Sequence, residues 1–109
     1  MSAADPANAP AADPAAIDRL IHEPSRLLIM TCLAVVESAD FLFVQRQTGL
    51  TAGNLSSHMT RLEAAGYVVI EKSFEGRKPK TELRLSDDGR RAFERYRDQM
   101  QVMLAEGAR

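Results

Sequence analysis

The sequence predicts a mainly α domain of the α+β class, with about five helices and one two-stranded β-hairpin. Three observations carry that expectation. Apolar residues recur at helical spacing on both sides of a strongly apolar run, "SRLLIMTCLAVVESAD" at residues 25–40. Between residues 67 and 86 the pattern turns β-branched and alternating. Pro24, Gly49, Gly66 and Gly76 fall where one pattern gives way to the next. The 109 residues suit one domain with an adequate core, and contents of 45% apolar and 27% charged residues are those of a soluble globular chain.

Taken in order, residues 1–14 are rich in Ala, Pro and Asp and have little to bury, so they are expected to be a disordered tail ahead of a folded domain over 15–109. Ile17, Leu20 and Ile21 at i, i+3, i+4 predict a short amphipathic helix stopped by Pro24. Ser25 is the expected N-cap of the next helix, which is apolar on nearly all sides and so expected to be the buried centre. Asp40 caps "FLFVQRQT", which ends at Gly49; Thr51 caps a fourth helix that runs to about Ala65, with Gly66 closing it. "YVVIEKSF" and "KTELRLS" form the hairpin, joined by "EGRKP" with Gly76 and Pro79 as turn residues. Ser86, Asp87 and Asp88 start a last helix whose apolar stripe is Phe93, Tyr96, Met100, Met103 and Leu104.

Charge is informative only when divided. Residues 1–40 carry four more acids than bases, 41–85 carry three more bases than acids, and 86–109 balance, against a net charge of −1 for the whole. A basic middle third points to an anionic partner. A single cysteine, Cys32, excludes an internal disulfide and suits a reducing, cytoplasmic setting; buried among Met30, Leu33 and Val35 it reads as a small hydrophobe. His22 and Cys32, without clustered companions, do not make a metal site, and no cofactor is expected. No apolar run approaches the roughly 18 residues that cross a bilayer, and the N-terminus lacks the pattern of a signal peptide. No nucleophile–base spacing or Gly-rich phosphate loop suggests an enzyme.

The segment "TGLTAGNLSSHMTRLEAAGYV" (48–68) carries the functional expectation. Stepping about 100° per residue from Leu55 gathers Ala52, Met59 and Leu62 on one face. Gly53, Asn54, Ser57, Thr60 and Arg61 fall on the opposite face, with Ser56 and His58 on the flanks and Glu63 turned aside. That outward face is small, polar and positively charged, which is what close approach to the edges of base pairs requires. With "FLFVQRQ" before it and a Gly-containing turn between, the pair has helix-turn-helix geometry. The wing-like tip "GRKPK" supplies cations for phosphates.

From "RLLIMTCLAVV" through "LSDDGRRAF" the sequence resembles the winged helix-turn-helix DNA-binding domain of small MarR/ArsR-type bacterial regulators, over roughly residues 17–105. The resemblance implies double-stranded DNA as partner and a homodimer formed by the terminal helices. Thr51, Gly53, Asn54, Ser56, Ser57, His58, Thr60 and Arg61 would make up the recognition helix surface, and Lys72, Arg77, Lys78 and Lys80 the wing contacts. Gln45 and Arg46 would brace the backbone, and Ile17, Leu20, Ile21, Phe93, Tyr96, Met100, Met103 and Leu104 would form the dimer interface. "FLF" departs from the pattern by setting Phe43 opposite Phe41. The rival reading is a winged-helix protein–protein module, which would carry aromatic or large aliphatic anchors on the outward face of the 51–65 helix. A small-molecule effector is not specified by the sequence.

Overall fold

The computed structural model describes residues 13–107, with side chains as far as 105. The expectation of a disordered tail falls mostly on residues outside that range. After a 3₁₀ turn at Pro14–Ala16, the order is α1 (Pro24–Ala34), β1 (Ala39–Asp40), α2 (Phe41–Thr48), α3 (Ala52–Ala64), β2 (Val68–Glu75), β3 (Lys78–Leu85) and α4 (Asp87–Gly107). Among the described residues the winged-helix architecture is therefore present with four α-helices rather than five, and with three strands rather than two.

The missing helix is the one predicted around Ile17–Ile21. Asp18 Oδ1 accepts hydrogen bonds from Leu20 N (3.0 Å) and Ile21 N (3.4 Å), so its side chain takes donors in a local turn that competes with a helix. Ile17 and Ile21 are nevertheless buried. Pro24 does not stop a helix but starts α1, where a residue without N–H costs nothing. Glu23, not Ser25, is the N-cap, and its carboxylate accepts from Arg26 N at 2.8 Å. α1 ends at Ala34, well short of Asp40, because Ala39 and Asp40 pair with Leu83 and Glu82 as the third strand. It is also not buried all round: Ile29, Met30 and Leu33 enter the core, while Leu28 is 48% and Val35 83% exposed.

The turns at the centre follow their sequence signals. Asp40 Oδ1 accepts from Leu42 N at 2.8 Å to cap α2, which Gly49 closes at φ 73. Thr51 Oγ1 accepts from Asn54 N at 3.1 Å to cap α3. At the other end Tyr67 N donates to Leu62 O and Gly66 N to Glu63 O, both at 2.9 Å, the two bonds of a Schellman closure with Gly66 at φ 80. Leu55, Met59 and Leu62 are buried, but Ala52 is exposed, because the first turn of α3 overhangs the core.

The sheet runs β1-β3-β2 and is antiparallel throughout. The hairpin turn is tighter than predicted: Glu75 pairs with Lys78, leaving only Gly76 (φ 65) and Arg77 between the strands. Pro79 belongs to β3 rather than to the turn. It lies beyond the reach of β1, on an edge where a missing N–H breaks no ladder bond. The largest fully buried side chains, among them Ile21, Ile29, Leu33, Leu55, Leu62 and Leu83, join the three short helices to the sheet. Each such leucine or isoleucine stabilises the fold by roughly 1.5–3 kcal/mol. Ala92 and Tyr96 bring the first half of α4 onto the same core.

Candidate nucleic-acid interface

α3 presents the surface that its sequence pattern implied. Thr51, Gly53, Asn54, Ser56, Ser57, Thr60 and Arg61 are all exposed. Gly53 has no other residue within 4 Å of where a Cβ would stand, so packing inside the chain does not require glycine there. Thr60 Oγ1 donates to Ser56 O at 3.0 Å, which commits its proton to the helix and leaves its methyl and lone pairs outward. His58 is different. It is half-buried, and its Nδ1 accepts from Arg26 Nη1 at 3.3 Å, which draws the ring toward α1 rather than out with its neighbours.

Arg26 was not singled out by the sequence, yet it holds this corner together. It is the one buried charged residue among those described, at 8% exposure. Its Nε donates to Leu20 O at 2.5 Å while Nη1 reaches His58. The Arg26 N–H bond holds the Glu23 carboxyl below the usual range, against burial, which pushes it up; the nearby Arg26 charge helps to lower it. A charged arginine at the start of an apolar helix looks solvent-facing in a linear reading, and only the folded turn before it supplies the carbonyl that satisfies it.

The wing divides its charges by face. Strand alternation sets Val68, Ile70, Lys72 and Phe74 on the side that meets α3, opposite Leu85, Leu83, Thr81 and Pro79. Val69, Glu71, Ser73 and Glu75 point the other way, opposite Arg84, Glu82, Lys80 and Lys78. On that outer face Lys80 is 3.5 Å from Glu75 and 3.9 Å from Glu82, and Arg84 is 3.1 Å from Glu71. Lys80, expected as a free phosphate contact, is thus shared between two carboxylates. Among the described residues Arg46, Arg61, Lys72, Arg77 and Lys78 have no carboxylate within 4.0 Å. These five cations, rather than all seven of the middle third, are the free positive surface.

Between α3 and the wing runs an open groove of about 540 Å³. Its floor is Phe41, Met59, Ile70 and Leu83, and its rims are Ser56, Thr60 and Glu63 on one side and Lys72 and Thr81 on the other. α3 and the inner wing face therefore form one continuous surface. On α2, Gln45 is half-buried and Arg46 exposed, in a separate shallow depression with Leu42, Gly49 and Leu50. Phe43 is turned away from this surface, 44% exposed, in a shallow apolar depression with Leu28, Cys32, Val35 and Val36. Burial there pushes the Cys32 thiol up, away from reactivity. The exposed aromatic on the wing's inner face is Phe74 near the tip, 73% exposed. The sequence pattern held a signal for it, since it continues the alternation of Ile70 and Lys72 past the end of the core.

The residues expected at a dimer interface are divided. Ile17, Ile21 and Tyr96 are buried in the chain's own core. Leu20, Phe93, Met100 and Met103 are partly buried, and Leu104 is 67% exposed. Among the described residues no group of three or more His, Cys, Asp or Glu could hold a metal, and no helix is long and apolar enough to cross a membrane.

Comparison with known proteins agrees with this geometry. The chain is 31% identical over 78 residues to an uncharacterised protein of Methanocaldococcus jannaschii, a match spanning 72% of this chain and 85% of that one. It is similar to a structure described as a transcriptional regulator homologue from Pyrococcus horikoshii, with TM-score 0.77, 30% identity, and coverage of 82% of this chain and 88% of that one. A PadR family transcriptional regulator from Eggerthella lenta shares the fold at TM-score 0.64 and 24% identity, over 83% of this chain and 85% of that one. The family described as "Winged helix DNA-binding domain" matches residues 25–104, a span that takes in α3, the wing and most of α4. The chain belongs to this winged-helix DNA-binding family, a family of regulatory domains and not of enzymes.

Proposed function

We propose that the protein is a sequence-specific transcriptional regulator that binds double-stranded DNA as a homodimer and represses by occupying its site. α3 lies in the major groove, where Asn54 pairs with adenine, Arg61 with guanine, and Ser56 and Ser57 with base edges or phosphates. Gly53 lets the helix backbone approach closely. Arg77 and Lys78 at the wing tip contact phosphates or the adjacent minor groove, Lys72 lines the passage between wing and helix, and Gln45 and Arg46 brace the backbone from α2. The observation that carries this reading is the exposed face of α3, which is small and polar and continuous across the groove with the wing face that bears unpaired Lys72, below the unpaired Arg77 and Lys78 of the tip. A protein-docking helix would instead carry large apolar anchors there.

Roughly 4–8 phosphates neutralised per dimer make binding steeply dependent on salt. The test is selection of bound sequences from random duplex DNA, repeated across a salt titration. A pseudo-palindromic consensus with half-sites about one helical turn apart is the expected result. A chain that retains no duplex at low salt is a protein–protein module instead.

A further inference from the structure

We propose that Phe74, with Pro79 beside it, is an apolar wedge that the wing inserts into the minor groove, bending the duplex. The proposal rests on the DNA-binding reading above and adds to it a residue that touches no phosphate.

The placement comes from the hairpin register. Phe74 and Pro79 are cross-strand partners one step inside the Glu75–Lys78 pair that closes the turn. In a two-residue hairpin the closing pair is hydrogen-bonded, so the next pair is not, and side chains in such a pair stand closer together. Two apolar rings therefore sit side by side at the tip. They lie on the same strand face as Ile70 and Lys72, the face that lines the groove with α3. Four residues beyond half-buried Ile70, at about 3.3 Å per residue, Phe74 projects on the order of 13 Å past the core. That is far enough to pass the phosphate ridge separating the groove that holds α3 from the next one.

The surroundings select the partner. A lone exposed apolar residue needs no explanation, and a protein-docking tip would continue the apolar surface. Here the neighbours are unpaired Arg77 at the turn and unpaired Lys72 on the same face, with unpaired Lys78 at the turn on the outer face. The nearest acid, Glu75, is turned to the opposite face and engaged by Lys80. An aromatic ring framed by free cations, with the adjacent carboxylate held away, fits a polyanion that offers an apolar slot between its charged ridges. The duplex minor groove is such a surface: apolar side chains wedge between base steps there while cations hold the flanking phosphates.

The experiment measures DNA bending by energy transfer between the ends of a selected duplex, alongside affinity across a salt series. The wild-type chain is expected to bend its site by roughly 20–90°. Phe74→Ala should lose most of the bend and bind about tenfold more weakly, with the salt slope unchanged because no phosphate contact is removed. Phe74→Leu should retain both bend and affinity. Since Phe74 is 73% exposed, thermal unfolding of both variants should match wild type. Phe74→Ala that bends and binds like wild type, or wild type that binds without bending, overturns the wedge and leaves the DNA-binding reading standing. Wild type that retains no duplex at all overturns both.

Discussion

At the scale of single residues, the face a side chain occupies on α3 or on the wing decides what it can touch. Leu55, Met59 and Leu62 are buried as helical spacing implied, because a 13-residue helix packed on one side leaves its period little freedom. The ion pairing of Lys80 is not legible in the sequence, because which face a strand residue occupies depends on the register, and the register depends on turn length. Reading "EGRKP" as the turn left Lys78 and Lys80 undivided from Arg77; the two-residue turn puts both lysines on the outer face, where Lys80 meets Glu75 and Glu82. Substitutions should follow this division. Arg61→Ala is expected to relax base preference, at a cost of about 1–3 kcal/mol for the preferred site. Lys78→Ala should weaken all duplexes alike and reduce the salt slope by about one. Binding isotherms on specific and random duplexes check both, and equal losses on the two duplexes for both variants would contradict the division. Gly53→Ala separates stability from function. With open space for its Cβ it should stabilise α3 by about 0.5–1 kcal/mol in urea unfolding, yet weaken duplex binding severalfold. If binding is unchanged, close approach at Gly53 is not part of the interface.

At the scale of elements, the helices with strong caps were legible and the segments fixed by distant partners were not. Asp40, Thr51, Gly49 and Gly66 each mark a boundary through a local hydrogen bond or a left-handed φ. Strand β1 could not be read, since two residues show no period and their pairing with β3 is set by chain more than 40 positions away. The turn at 17–23 departs from the helical spacing of its apolar residues for a similar reason: Tyr67 OH donates to Asp18 Oδ2, fastening that turn to the residue before β2. The bond to Asp18, with burial second, raises the Tyr67 phenol to about 12. A raised folded value means that this contribution to stability is complete below about 10 and is lost as pH climbs from there toward about 12. Tyr67→Phe should therefore flatten the alkaline limb of a stability–pH curve; an unaltered limb would assign the loss to other groups. Gly89 locks the next junction. Ser86 Oγ accepts from Gly89 N at 2.9 Å, and a Cβ on Gly89 would stand 1.9 Å from Tyr67 O, a backbone atom with no freedom to move alone. Gly89→Ala should destabilise by about 1–3 kcal/mol and lower the melting temperature accordingly. Little or no shift would mean that α4 can pivot away from β2.

At the scale of the whole molecule, the question is what the second half of α4 is for. The helix has 21 residues, or about 31 Å at 1.5 Å per residue, and among those whose side chains are described the buried apolar ones, Ala92 and Tyr96, lie in its first half. The N-terminal segment is tied to it through His22 Nδ1 and Tyr96 OH at 2.8 Å and through Gln99 Nε2 donating to Ala16 O at 3.2 Å. Ile17 and Ile21 are thus used inside the chain, and of the terminal apolar residues Leu104, at 67% exposure, is the one left most open. Met100 and Met103 beside it are only partly buried. A row at i, i+3, i+4 is the seam along which one α4 would pack against another. Leu104→Glu tests this without touching the core: the expected result is a chain that sediments as a monomer with its melting transition close to that of wild type at low concentration. Because two half-site contacts made together gain effective concentration, the monomer should bind a two-half-site duplex on the order of a hundredfold more weakly, yet bind a single half-site as wild type does. A Leu104→Glu chain that remains dimeric moves the interface to another surface, and the exposed depression of Leu28, Val35 and Phe43 is the next to vary.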